Sequence, residues 1–560
     1  LLNGPMDIAI TTIGGSTYAV VSSNKDHGIE IFDISDPTNP TSVSRVADDT
    51  SKLLKSANGN AITTIGGNTY VVVASNEDDG IQIIDISNPT SPTAVGKLED
   101  DGNSECTAEP SLAEGTKCLD GAREVAIETI NGTPYAVVAA SDDDGIEIVD
   151  ISDPTNPTSV GRLTEIDDTT RELDGAKGVA IETIDGTPYA VVGSKDDDGI
   201  QIIDISDPTN PTAVGSLDDG SDSGDCTAEP SLAEGEKCLD GAKGVAIYTI
   251  SSGSTYAVVA AEQDNGIEII DISEPSNPTS VSRVVDTGTV PCTVEDEERC
   301  LDGVRQMTIA EVADIGATSG THYLITVAHD DDGVGIIDIS DPENPTYVAS
   351  LTDDDPGCTS ENCELDKPSY VAPISTIGSS TYVLVASEKD DGIQIFRLCE
   401  NCEVIATTLS TASTSASSSS TCARLVILGN CGTIAINNDE YQIIDPWSTI
   451  PTTEVMVGEP VSITLSTPHN YVAGKINSAS VYTEIFGSAA NYEASTHIYY
   501  TMNDDIIISD HATEKQLFQI AGATHRIVQD TDVNNLEMFE VVFTMVFAKP
   551  MDTSHIVVET

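Results

Sequence analysis

The chain reads as an all-β protein: a seven-bladed β-propeller over residues 1–400 and a C-terminal β-sandwich, immunoglobulin-like or jelly-roll-like, over 423–560. Three observations predict this. A phrase of the form Gly-Ile-x-Ile-x-Asp-Ile-Ser-Asp-Pro-x-Asn-Pro, or a close variant, recurs seven times, led by Gly28, Gly80, Gly145, Gly199, Gly266, Gly333 and Gly392. The repeats lie roughly 50–70 residues apart, and each holds several short β-branched runs, as in a radial β-architecture whose four-stranded units close into a ring. Beyond residue 423 the strand patterns lengthen, as in EPVSITLST and EMFEVVFTMVFAKP, and helix signals almost vanish.

Within a repeat, four strands can be justified in order. In the third unit they are Val125–Ile130, Pro134–Ala140, Ile146–Ser152 and Thr158–Leu163. Asn131-Gly132, like Asp185-Gly186 in the next unit, supplies the positive-φ pair of a tight hairpin between the first two strands. Asp-Gly or Asn-Gly makes the second reversal. Asp-Pro-x-Asn-Pro makes the third, because proline cannot donate to a ladder. In a propeller the first strand lines the channel and the fourth lies outside, so the second-to-third turns and the inter-blade loops share one face. The seventh unit departs from this: Arg397 stands where the others have Asp33, Asp85, Asp150, Asp204, Asp271 and Asp338, and its proline turn is missing. Its outer strand must come either from residues just after Cys402, such as 404–409, or from another chain. Residues 401–422 form a linker, whose Ser/Thr-rich tract from Thr407 to Thr421 reads as flexible.

The formal net charge is −69, from 24 Lys+Arg against 93 Asp+Glu. That excludes nucleic-acid binding and anionic membrane surfaces, and favours cation binding or solubility in salt. No apolar run is long enough for a transmembrane helix. The twelve cysteines fall into sequential pairs: Cys106/Cys118, Cys226/Cys238, Cys292/Cys300, Cys358/Cys363, Cys399/Cys402 and Cys422/Cys431. Local pairing suggests disulfides and an extracellular or cell-surface setting. The competing reading is zinc at Cys399-x-x-Cys402 with Cys422 and Cys431, which has only one of the two close pairs a zinc ribbon needs.

Two sets of residues are candidate sites. The residue two before each lead glycine is always aspartate: Asp26, Asp78, Asp143, Asp197, Asp264, Asp331 and Asp390. One reading is turn chemistry, with the side chain capping nearby amides. The other is Ca²⁺, which takes clustered oxygen ligands. The second set is basic: Arg123, Lys177, Lys243 and Arg305 follow the Leu-Asp-Gly ends of four successive inter-blade loops, marked by Asp120, Asp174, Asp240 and Asp302. They either neutralise those acids or hold an anionic ligand at the channel mouth. The Asp of each Asp-Ile-Ser is expected to bond its own turn. Asn131-Gly-Thr is also a glycosylation sequon.

The repeat GIEIVDISDPTNPTSVGRL resembles the LVIVD repeat family over residues 1–400. The resemblance implies a propeller displayed outside the cell and no defined activity. The leading expectation is a non-enzymatic structural or adhesion protein that self-assembles, with strand donation into blade 7, or that contacts other envelope components. The alternatives are a ligand-binding or enzymatic propeller acting at the channel mouth, and a Ca²⁺-dependent carbohydrate binder.

Overall fold

The computed structural model describes residues 2–37, 39–100, 117–165, 171–219, 237–286, 300–311, 322–352, 365–377 and 380–398, together with strands between 404 and 559. Its first compact unit spans Leu1–Cys399 and Val404–Leu425. Seven antiparallel sheets, each built from consecutive strands, make a seven-bladed propeller. The innermost strands are Pro5–Ile13, Ala57–Ile65, Ala122–Ile130, Ala176–Ile184, Ala242–Thr249, Val304–Glu311 and Pro368–Ile377. The second and third strands are buried almost continuously, as in TPYAVVAA and GIEIVD of blade 3, because each blade has a neighbour on both faces.

The core lies between blades rather than within them. One cluster joins Ile130, Ile146, Ile148 and Leu163 of blade 3 to Leu173, Val179, Val192 and Ile203 of blade 4. Another joins Leu2, Ile8 and Phe32 of blade 1 to Ala372, Leu384 and Ile393 of blade 7, and so closes the ring by packing.

The turns behave as their residues require. Asn131 and Gly132 have φ of 52° and 85°, and Asp185 and Gly186 51° and 84°, as a two-residue hairpin turn with two positive φ values demands. Each Asp of Asp-Ile-Ser accepts the amide of the serine two residues on, at 2.8–2.9 Å in all six units. The proline turn docks on the preceding blade. Ser282 Oγ donates to the Pro342 carbonyl at 2.5 Å, and Ser44 Oγ likewise to Pro89. At the same place Gly161 leaves no room for more: a Cβ there would lie 2.0 Å from the Pro208 carbonyl oxygen.

The variable residue of Gly-Ile-x-Ile also has a task. Outside blade 6, where it is Gly335, it is polar yet buried, and it can anchor the inter-blade loop. Glu147 accepts the Cys118 amide at 3.1 Å, and Gln82 accepts the Leu53 amide at 3.1 Å. Glutamate pairs with a serine twelve residues on (Glu30 with Ser42, Glu147 with Ser159, Glu268 with Ser280). Glutamine has alanine there and donates instead to a fourth-strand carbonyl, Gly96 for Gln82 and Gly215 for Gln201.

Blade 7 is completed by the chain itself. Residues Val404–Ser410 pair with the third strand in the register Gly392↔Ser410 to Ile395↔Thr407. The edge that a donated strand would occupy is therefore filled, and the start of the Ser/Thr tract is strand rather than flexible linker. An open edge of unpaired amides and carbonyls is satisfied by whatever β-branched segment follows it, and Thr407 and Thr408 qualify.

Cys118, Cys238 and Cys300 are buried and disulfide-bonded. Cys106, Cys226, Cys292, Cys358, Cys363, Cys399, Cys402 and Cys431 lie outside the described residues, and for Cys422 only its strand is described. The second unit, 400–403 and 426–560, holds two antiparallel sheets. One runs in the strand order 439–443, 432–436, 460–468, 537–547, 518–529, the other in the order 506–508, 496–501, 478–484, 555–559.

Candidate functional site: the channel mouth

The second-to-third turns and the inter-blade loops meet at one end of the channel, in a double ring of hydrogen bonds. In every blade the aspartate two before the lead glycine accepts the amide that begins its own blade's innermost segment. Asp26, Asp78, Asp143, Asp197, Asp264, Asp331 and Asp390 take the N–H of Asn3, Lys55, Asp120, Asp174, Asp240, Asp302 and Asp366, at 2.7–3.1 Å. The next residue reaches the following blade. His27, Asp79, Asp144, Asp198, Asn265, Asp332 and Asp391 accept amides of Ser56, Gly121, Gly175, Gly241, Gly303, Lys367 and Gly4, at 2.8–3.3 Å. All seven of these acceptors have φ between 48° and 54°, a region that Asn, Asp and His tolerate better than other side chains. The Asp391–Gly4 bond links the last blade to the first.

The expected acidic ring is thus present, and each member serves a backbone amide in its blade. Burial pushes Asp143 and Asp264 up to about 7, against the pull of those amide bonds. Among the described residues no three His, Cys, Asp or Glu side chains are grouped as a metal site requires.

Inside this ring lies a cavity of about 330 Å³. Its lining forms two layers, each with one residue from every blade. The outer layer, one residue per blade, is Met6, Asn58, Arg123, Lys177, Lys243, Arg305 and Ser369; the next residue in each strand gives Asp7, Gly59, Glu124, Gly178, Gly244, Gln306 and Tyr370. The four expected cations therefore converge, contiguous over blades 3–6, with Lys195 beside them.

Their partners differ. Lys243 Nζ and Arg305 Nε share Glu262, at 2.5 and 2.6 Å. Burial would raise the Glu262 carboxyl, but these two cations outweigh it and hold it below its ordinary value. Arg123 Nε donates to Ser141 Oγ at 3.1 Å. Lys177 forms no hydrogen bond or ion pair among the described residues. Burial, reinforced by the charge of Arg123, pushes its amine down to about 8. The cations therefore do not simply neutralise Asp120, Asp174, Asp240 and Asp302.

The inner layer was not singled out from the sequence. Glycines in blades 2, 4 and 5 leave space into which the other blades reach. Gln306 Nε2 donates to both Glu124 oxygens, at 3.3 and 3.2 Å, across a separation of three blades, and so floors the cavity. Asp7 bonds the Asn60 amide and the Tyr370 side chain, while its Oδ1 is buried without a partner. Burial, with help from the Asp7 charge, pushes Glu124 up to about 8, and burial pushes Asp7 up to about 7. The result is a cup with a cationic rim and a weakly acidic floor.

A ring of seven blades around a charged cup defines the class, a seven-bladed β-propeller. Six of its blades carry LVIVD repeats: residues 16–48, 61–100, 132–165, 188–219, 250–286 and 324–353 match the family described as LVIVD repeat. No curated protein matches the chain. Among solved structures, the chain is similar to a functionally unknown protein from Desulfotomaculum acetoxidans DSM 771, at 13% identity over 74% of this chain and 99% of that one, with a TM-score of 0.44. A putative 6-phosphogluconolactonase from Bacteroides fragilis NCTC 9343 is 13% identical over 69% of this chain and 92% of that one, with a TM-score of 0.45. A periplasmic gluconolactonase of Pseudomonas aeruginosa is 11% identical over 62% and 85%, with a TM-score of 0.40. None of these similarities bears on what the present cup binds.

Proposed function

We propose that this is an extracellular binding protein whose propeller captures a small anion at the channel mouth. One observation carries the reading: in a chain with 24 basic and 93 acidic residues, four basic side chains converge on one cavity, and Lys177 makes no hydrogen bond or ion pair there among the described residues. An amine in a half-buried cup that has no contact ion pair, and feels Asp142 and Asp196 only through their charge, gains when an anion joins it. The aspartate ring needs no cation to explain it, because each member already holds an amide, so the Ca²⁺-dependent carbohydrate reading is not favoured. The local cysteine pairs are taken as disulfides and Asn131 as a glycosylation site, both in keeping with an extracellular setting.

The test is calorimetric titration of the full chain with inorganic phosphate and with acetate at low ionic strength. Lys177→Met is expected to weaken binding about tenfold, the worth of one charge-assisted contact. Equal binding by wild type and Lys177→Met would overturn the reading.

A structural role is the second reading. Its support is the double ring of hydrogen bonds, which makes the propeller a stiff platform, and the two antiparallel sheets of 426–560, which we take as the leaves of a β-sandwich that contacts a second copy or the envelope. Light scattering of the full chain over a concentration series tests it, and a monomer throughout would refute self-assembly.

A further inference from the structure

The cup's floor narrows the class of anion. This step rests on the binding reading above and adds to it what the inner layer selects. Below the cations the cavity floor carries two carboxyls, Asp7 and Glu124. Asp7 Oδ1 is buried and unpaired. Glu124 takes the Gln306 side-chain amide, and Tyr370 sits against Asp7. An acceptor left without a donor in a buried site costs stability that a donor on the ligand would recover. The Asp7 charge lies close enough to raise Glu124, and both carboxyls line the cavity, so a cationic donor is favoured most, since a positive charge lowers the cost of ionising both. The rim, in contrast, is positive over blades 3–6. The electrostatic field across the cup therefore runs from a cationic side to an acidic floor. A cavity of about 330 Å³ is at the small end of ligand pockets, which run from about 300 to 1,000 Å³.

We propose that the cup binds a small zwitterion of the amino-acid type, with its carboxylate against Lys177 and Arg123 and its ammonium against Asp7 and Glu124. The selectivity lies in the floor: an acid without an ammonium satisfies only the rim, and an amine without an acid leaves Lys177 unpaired.

The experiment titrates the full chain at pH 7.5 with L-alanine, N-acetyl-L-alanine, L-lactate, L-alaninamide and inorganic phosphate, in two buffers of different ionisation enthalpy. L-alanine is expected to bind at least about tenfold more tightly than its N-acetyl, hydroxyl and amide analogues, the worth of one charge-assisted bond. Alanine should release protons on binding, because the ammonium drives Asp7 and Glu124 toward their ionised forms, whereas N-acetylalanine and lactate, which lack an ammonium, should not. Asp7→Asn should reduce alanine to the affinity of N-acetylalanine and leave phosphate unchanged. Tyr370→Phe, a milder change to the same floor, should weaken alanine alone if Asp7→Asn fails to fold. Phosphate binding with no preference for alanine would overturn this inference and leave the anion reading standing. Lactate equal to alanine, with no proton release, would mean that the floor selects hydroxyls and would overturn it too. No binding by any compound would overturn both.

Discussion

Replacing Asp391 tests how the ring is held shut. Its carboxylate accepts the Gly4 amide at 3.0 Å, joining blade 7 to blade 1, from a backbone with φ of 54°. Asp391→Ala removes a half-buried hydrogen bond to a charged group, worth about 1.5 kcal/mol. It also puts an ordinary side chain in the left-handed region, at about 1 kcal/mol. The sum is about 2.5 kcal/mol. Unfolding entropy scales at about 2.1 cal/mol/K per residue, and the propeller has roughly 400 residues, so its melting temperature should fall by about 3 °C. Asp391→Gly relieves the backbone and loses only the bond, for about half that shift. Asp391→Asn keeps both acceptor and conformation, as Asn265 does in blade 5, and should lie within about 0.5 °C of wild type. Differential scanning calorimetry of the propeller transition distinguishes the three. If Asn costs as much as Ala, or Gly costs nothing, the bond does not hold the ring and the reasoning is wrong.

Two further outcomes follow from the packing. Burial, abetted by Asp7, raises Glu124 from 4.5 to about 8, so the folded state binds more protons than the unfolded one between those values and stability is lost as pH rises through the window. Glu124→Gln removes that dependence and should gain about 2 kcal/mol over wild type between pH 5 and 8, after allowance for water in the channel, as read by urea unfolding at each pH; a constant difference across the series would refute it. Gly161→Val drives a side chain into the Pro208 carbonyl and should cost about 3 kcal/mol, whereas Gly161→Ser, matching Ser44 and Ser282 at the same place in blades 1 and 5, should cost less; equal thermal shifts for the two would show that the proline turn does not dock there.

The blades were legible because each carries its own punctuation. Asn131-Gly132, the Asp of Asp-Ile-Ser and the double prolines act within a few residues, and the structure has each in its expected place. The aspartate ring was legible as a position but not as a task. Turn chemistry suggested that Asp143 caps a nearby amide, whereas its partner, Asp120, is 23 residues away, and Asp144 bonds the next blade altogether. Such bonds depend on the ring being closed, which no window of sequence contains. The cations Arg123, Lys177, Lys243 and Arg305 were found because basic residues are scarce. The floor was missed because Asp7, Glu124, Gln306 and Tyr370 share no residue type; only the column immediately after the basic residues relates them. The pairing of Glu30, Glu147 and Glu268 with serine, and of Gln82 and Gln201 with alanine, was also there to be read twelve positions on.

Because the four strands of each blade follow one another in the chain, a growing polypeptide can finish blades in the order in which they are made. Ring closure cannot share that timing. Leu2, Ile8 and Phe32 are needed by blade 7, whose outer strand comes only at 404–410. The first blade to emerge, complete at Ala47, therefore keeps one apolar face in water until the chain has grown to Ser410, about 360 residues further on. During synthesis the vulnerable surface of the propeller is its oldest, and shielding blade 1 matters more than speeding any later step.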